Sequence, residues 1–213
     1  MEHLGRREPN PPFVASGLAV RQRRLLKLVL IVATAALAAL VAIGVAVERS
    51  SRTPLIQVGQ SAPDWTLPAA GGGVEALSAQ RGHAVVLAFV PAVNCTICRV
   101  QLRAIQEALP DLRARGATVF AISTDLPAVQ RRLANDLGLD YPILSEAPAA
   151  GLHPVGSAYG VYHQASGPTG PVDINAIVVI DAAGIVRAVA AQPSHALSAV
   201  QILALVDAGL QPK

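Results

Sequence analysis

The chain has two cysteines in 213 residues, one methionine, one tryptophan and an aromatic content of 3%. Two cysteines leave no second pair to complete a zinc site, and the five histidines are scattered rather than spaced to help. Charge is sparse at 15%, and its distribution is uneven. Residues 1–54 hold eight Lys/Arg against three Asp/Glu, whereas residues 55–213 hold nine against eleven. The pI of 9.2 therefore belongs to the N-terminal flank. No basic patch marks the remainder, which excludes nucleic acid as a partner. The lone Trp65 reads as a core residue and is assigned no chemistry, and internal repeats are absent.

What is present is concentrated in Asn94-Cys95-Thr96-Ile97-Cys98-Arg99, directly after the apolar run Ala84 to Val90. Residues i and i+3 in a first helical turn are close enough to close a small disulfide. The helix N-terminus adds unpaired N–H groups and a partial positive charge that stabilise a thiolate. As a purely structural crosslink the pair would close a loop too short to gain much entropy. A strand running into Cys-x-x-Cys at a helix start is a thiol–disulfide redox signal. The apolar spacing Cys98, Leu102, Ile105, Leu109, Leu112 marks one buried helix face. Cys98 lies on that face, and Cys95 at the helix mouth is expected to be the more exposed thiol.

The mean hydropathy of +0.45 traces largely to Leu28 to Val47, twenty residues without charge or proline. In a helix that run covers about 30 Å, the thickness of a bilayer core. Arg21, Arg23, Arg24 and Lys27 precede it, which places the N-terminus in the cytoplasm and the following domain outside, where a Cys pair can be held oxidised. A run of twenty is long for a cleaved signal peptide, Val45-Ala46-Val47 is a poor cleavage site, and Arg23-Arg24 gives a weak twin-arginine signal. The expected organisation is a cytoplasmic basic tail over 1–24, a transmembrane helix over 25–47, a linker over 48–57 and one domain over 58–213.

Within the domain, Trp65 to Leu67 and Val74 to Leu77 predict a hairpin around Gly71-Gly72-Gly73. His83 to Val90 and Ala117 to Ile122 predict buried strands, with the principal helix between them bent or broken at Pro110. Thr124 or Asp125 is expected to cap a helix with Pro127 in its first turn, ending before Gly138. Tyr141 to Leu144 reads as a strand, 146–160 as a mixed segment with a short helix, and His163 to Val172 as a loop. Ala176 to Ile180 and Ile185 to Ala191 read as a hairpin turning at Asp181 to Gly184, and 196–208 as a closing helix. Strands joined by helices imply a central mixed sheet flanked by helices on both faces, with the Cys pair at the C-terminal end of a central strand.

From Val58 to about His195 the chain resembles the redoxin branch of the thioredoxin superfamily, the alkyl hydroperoxide reductase/thiol-specific antioxidant group. The resemblance is carried by Gly59 to Leu67, Val85 to Pro91, Cys95 to Leu102, Ala121 to Asp125, Pro142 to Ser145, Tyr159-Gly160-Val161, and Val179-Ile180-Asp181 followed by Gly184. It implies an α/β thioredoxin-like fold with an N-terminal β-hairpin extension. In the peroxidases of this group the resemblance puts Cys98 at the peroxide-attacking position and Cys95 where a threonine is usual. Asn175 stands at the place of the group's peroxide-binding arginine. In the membrane-anchored reductases the first cysteine attacks and the second resolves; Asn175 also stands at the place of their cis-proline, with Pro171 four residues early.

Three functions remain open at this point. The main expectation is an extracytoplasmic thiol–disulfide oxidoreductase, with Cys95 attacking and Cys98 resolving, working on a disulfide- or thiol-bearing protein partner or reductant. The alternative is a thiol peroxidase in which Cys98 attacks peroxide and Cys95 resolves. A third is a non-catalytic Cu(I)-handling or redox-sensing module, with His153, His163 or His195 adding a ligand. The two enzymatic readings call for no cofactor or metal. Asp64, Thr124, Asp125 and Arg99 occupy motif positions but are read as turn, cap and surface residues rather than catalytic ones.

Overall fold

The computed structural model describes residues 26–41, 54–92, 95–147, 153–163, 172–191 and 195–211. They fall in two compact units, Met1–Ser51 and Arg52–Lys213. In the first, residues 26–41 form helix α1, whose apolar side chains, Leu30 and Leu40 among them, are exposed. Sixteen residues of helix measure about 24 Å, and among the described residues no helix is long and apolar enough to cross a membrane. The expected span continues to Val47, but 25 and 42–47 lie outside the described residues, as do the 1–24 tail and positions 48–53 of the linker.

In the second unit the β-branched, apolar segments make the sheet. Strands β1 (Thr66–Pro68) and β2 (Val74–Ala76) form the small N-terminal hairpin. The main sheet comprises β3 (Ala84–Phe89), β4 (Ala117–Ser123), β5 (Ile143–Ser145), β8 (Ala176–Ile180) and β9 (Val186–Ala191), in the order β5-β4-β3-β8-β9. Between β5 and β8 run β6 (Tyr162–His163) and β7 (Val172–Asp173). Strand β3 is central, parallel to β4 and antiparallel to β8, so it is buried on both faces and reads as a continuous apolar run. The helices are α2 (Thr96–Ala114), α3 (Pro127–Leu137), α4 (Pro154–Ala158) and α5 (Ala199–Leu210).

Strand alternation divides the core in two. On one face Val86, Ala88, Val119, Ala121, Ile177 and Val179 pack with Leu102, Ile105 and Leu112 of α2, Leu133 of α3, and Ile202 and Val206 of α5. On the other, Val85, Leu87, Phe89, Phe120, Ile122 and Val178 pack with Trp65, Leu67, Leu77, Val155 and Tyr159. This second face is closed by the N-terminal hairpin region and the short α4 rather than by a long helix. Trp65 stands edge-on to Phe120 with ring centroids 5.4 Å apart, which is the core role expected of it. Residues 54–57 also pack here: Ile56 is buried and its N–H donates to the Tyr159 carbonyl at 3.0 Å. Gly160 at φ +67° is required there, because a Cβ would come within 2.2 Å of the Pro54 carbonyl oxygen.

Three local expectations are corrected. Helix α2 runs through Pro110 to Ala114 without ending; the proline ring faces solvent, while Ala108, Leu109 and Leu112 hold the last turns on the core. The N-cap of α3 is Leu126, with no side-chain capping bond. Thr124 and Asp125 are engaged elsewhere: Thr124 Oγ1 donates to the Pro91 carbonyl at 2.7 Å, and the Ser123 hydroxyl donates to Asp125 Oδ2 at 2.9 Å. The ends of the expected 163–172 loop are strands, since Tyr162 pairs with Asp173 and His163 with Val172; residues 164–171 lie outside the described residues. The closing helix α5 is capped by Ser198, whose Oγ accepts the Gln201 N–H while Gln201 Oε1 accepts the Ser198 N–H.

Candidate active site

The Cys pair sits where β3 ends and α2 begins. Cys95 is the N-cap residue, in extended conformation, and its Sγ accepts the Cys98 backbone N–H at 3.2 Å. The two residues are joined as a disulfide with Cα atoms 5.2 Å apart. Cys95 is half-buried; Cys98 is completely buried among the α2-side core residues that include Val90, Leu102 and Ile177. The first turn of α2 carries no acidic residue, so nothing in it opposes the positive end of the helix dipole. In the dithiol state this end favours thiolate over thiol.

Behind the pair, polar side chains fix the C-terminal edge of the sheet. The Thr124 bond to the Pro91 carbonyl ties the loop after β3 to the end of β4. Ser145 Oγ donates to the Asp125 carbonyl at 2.7 Å, and Gln130 Nε2 donates to the Ser123 and Leu144 carbonyls at 3.2 and 3.1 Å. Glu146, buried just after β5, accepts the Val155 and Gly156 N–H groups at the start of α4. Phe89, Pro91, Thr124, Glu146, Tyr162 and Ile174 line a small, half-open cleft at this edge. Glu146 and Gln130 escaped the sequence reading because their partners are backbone groups with no side-chain pattern to reveal them.

The motif positions left without chemistry have structural partners. Asp64 Oδ1 accepts the Trp65 and Ser78 N–H groups, both at 3.0 Å, and so organises the hairpin region. Arg99 is half-buried on α2. His153 Nδ1 lies 3.3 Å from the Glu146 carbonyl, its ring edge-on to Tyr162 at 4.1 Å, and His195 is exposed. Among the described residues no three His, Cys, Asp or Glu side chains converge to hold a metal ion, so neither histidine joins the Cys pair. The His163 side chain and Pro171 lie outside the described residues. Burial pushes the Tyr141 and Tyr159 hydroxyls well above the usual phenol range. They donate to the Leu102 and Pro63 carbonyls, which leaves them as structural groups rather than proton carriers.

Asn175, immediately before β8, is buried, and its Oδ1 meets no hydrogen-bond donor among the described residues. A buried acceptor left in this state costs about 1–3 kcal/mol.

A half-buried Cys N-capping a helix, with a buried Cys three residues on, at the end of the central strand of a mixed sheet, defines a thioredoxin-like thiol oxidoreductase. The AhpC/TSA family model matches residues 58–189, and the chain belongs to that family. It is 30% identical over 134 residues to alkyl hydroperoxide reductase E of Mycobacterium tuberculosis, covering 62% of this chain and 84% of that protein. It is 35% identical over 128 residues to a thiol peroxidase of the same organism, covering 60% and 73%. Among solved structures, peroxidoxin BcpB of M. tuberculosis superposes with a TM-score of 0.62 at 26% identity, covering 74% of this chain and 99% of that one. The bacterioferritin comigratory protein of Xanthomonas campestris, at 20% identity and a TM-score of 0.60, shares the fold over 68% and 90%.

Proposed function

We propose that this protein is a thiol peroxidase in which Cys98 attacks the peroxide and Cys95 resolves the product. This reverses the order of preference drawn from the sequence. The support is family membership, with 30–35% identity to proteins named for peroxide reduction, joined to an observation of geometry. Cys98 occupies the third position of α2, with Cys95 at disulfide distance. The Cys98 thiolate attacks the terminal oxygen of R–O–O–H; an S–O bond forms, the O–O bond breaks, and the leaving alkoxide takes a proton to become R–OH. The sulfenic acid then condenses with the Cys95 thiol, releasing water and forming the disulfide. A dithiol reductant returns both cysteines to thiols by exchange, starting at the more exposed Cys95 sulfur. The Cys98 burial seen in the disulfide form has to open in the dithiol form for peroxide to enter.

Trapping distinguishes the roles. In Cys95→Ser treated with one equivalent of hydrogen peroxide, a sulfenic-acid reagent should label Cys98 stoichiometrically; in Cys98→Ser it should leave Cys95 essentially unlabelled. Labelling of Cys95 alone would reverse the assignment. The second reading, disulfide exchange initiated by Cys95, is favoured by one observation: Cys95 is the half-exposed N-cap whose sulfur accepts an N–H. It predicts that Cys98→Ser accumulates mixed disulfides with a protein partner.

We also propose that residues 25–47 anchor the chain in a membrane with the 58–213 domain on the extracytoplasmic side. The support is the uncharged run Leu28 to Val47 behind Arg21, Arg23, Arg24 and Lys27. The full chain should stay with the membrane pellet through alkaline carbonate extraction, and its domain should be digested by protease added outside spheroplasts. Release into the supernatant would refute the anchor.

A further inference from the structure

We infer that the solvent face of α2 beside the Cys pair is the docking surface for a protein reductant whose dithiol lies among acidic side chains, an inference that rests on the thiol-peroxidase reading above. Helix geometry fixes what stands next to Cys95. Residues three and four apart are neighbours on a helix surface, so Thr96, Val100 and Arg103 form one ridge, and Arg99 flanks Val100 and Arg103. Thr96, Val100 and Arg103 are exposed, whereas Ile97 and Arg99 are half-buried. Arg103 lies eight residues past Cys95, about 12 Å along the axis. Val100 is 53% exposed, an apolar side chain that the core does not use. A second apolar side chain, Leu126 at 63%, stands two residues beyond Thr124, whose hydroxyl holds the Pro91 carbonyl of the loop leading to Cys95.

Charge selects the partner. Among the described residues neither Arg99 nor Arg103 takes part in an ion pair. The sequence from Ala76 to Gln106 contains no Asp or Glu, although residues 55–213 as a whole hold more acids than bases. The positive sign is therefore local to the helix that carries the disulfide. Two unpaired guanidinium groups around exposed Val100 form a small apolar centre with a charged rim, the make-up of a protein interface. Carboxylates on the partner complement that rim and steer its approach. Cys98 is completely buried, so the partner's first thiolate strikes the half-buried Cys95 sulfur. A bond forms between that sulfur and the partner's, the Cys95–Cys98 bond breaks, and Cys98 leaves as a thiolate. The partner's second thiolate then attacks its own sulfur of the mixed disulfide and releases Cys95. Two electrons and two protons pass to the Cys pair, and the partner is left as a disulfide. A small thiol has no apolar surface to lay over Val100.

The test times reduction of the isolated disulfide form of the full-length protein by three probes. Two are synthetic Cys-x-x-Cys peptides of identical apolar sequence, the dithiol flanked by glutamates in one and by lysines in the other; the third is reduced glutathione. Each rate is divided by the same probe's rate with hydroxyethyl disulfide, a neutral disulfide, which removes differences in thiol reactivity. The acidic peptide should be favoured over the basic one at least about ten-fold at low salt, and the preference should collapse as salt rises from about 20 mM to about 0.5 M. The double variant Arg99→Gln/Arg103→Gln should bring the two peptides within about two-fold of each other. Equal rates in the wild type would overturn the inference, as would a preference that survives in the double variant. Glutathione outpacing the acidic peptide would make the partner a small anionic thiol and overturn the docking of a protein. Should the double variant fail to fold, Arg103→Gln, at an exposed position, decides through the same ratio. A wild type that shows the preference yet consumes peroxide no faster than a free thiol removes the peroxidase reading alone; a fast peroxidase without the preference removes the docking face alone.

Discussion

The cysteines announced themselves because a pair three residues apart after an apolar run needs no tertiary context to be noticed. The residues that shape their surroundings did not. Glu146 bonds to N–H groups nine and ten residues away across a segment of no clear periodicity, and Asn175 has no partner that a pattern could predict. Thr124 and Asp125 looked like caps because their residue types suit caps; the Pro91 carbonyl across the sheet edge takes Thr124 instead, and the Ser123 hydroxyl two residues back takes Asp125. Asp181 shows a residue whose role was legible, at the turn between β8 and β9. Burial pushes its carboxyl up, but the Ile185 N–H, the Arg187 guanidinium and the Ala183 N–H outweigh burial and hold its pKa below the usual carboxylate range. A depressed folded pKa means stabilisation present above the unfolded value of about 3.9 and lost as pH falls through the folded value. Asp181→Asn, which keeps an acceptor but drops the charge on Arg187, should cost about 0.5–1 kcal/mol near pH 7. Urea midpoints measured from pH 7 to pH 2 should show that difference shrinking only at the acid end; a constant difference would contradict the account.

At the scale of elements, periodicity was the reliable guide. The face Cys98, Leu102, Ile105, Leu109 and Leu112 predicted from spacing is buried throughout α2. The buried strands β3 and β4, the β8–β9 hairpin and the closing α5 were equally readable from short β-branched runs and one apolar face. Pro110 misled because a local rule was applied without the core. The ring removes one helical hydrogen bond, and the packing of Leu109 and Leu112 carries the helix past it. This makes the proline a stability cost that the fold tolerates. Replacing this exposed residue in Pro110→Ala should raise stability by about 1–2 kcal/mol, after allowance for the greater freedom of the unfolded chain. Thermal unfolding should show a higher midpoint with unchanged thiol chemistry. A lower midpoint would mean that the proline shapes α2 rather than burdens it. Element ends were less readable: β6 and β7 flank the stretch in which Gly167, Pro168, Gly170 and Pro171 pointed to a loop, and they pair residues distant in sequence, Tyr162 with Asp173 and His163 with Val172.

At the scale of the molecule, the mixed sheet and the place of the Cys pair beyond the C-terminal end of its central strand were both legible, since strands alternating with helices admit few topologies. The choice between two thiol chemistries was not. Both use the same pair at the same helix start, and the difference rests on which sulfur meets which substrate, which no spacing in the sequence encodes. The reduced full-length protein mixed with hydrogen peroxide in a stopped-flow instrument, beside the same protein with oxidised glutathione, tests the central claim most directly. The account predicts loss of both thiols to peroxide at least about 100-fold faster than for a free thiol, and faster than to glutathione disulfide. Rapid exchange with the disulfide and a peroxide rate no greater than that of free cysteine would contradict it.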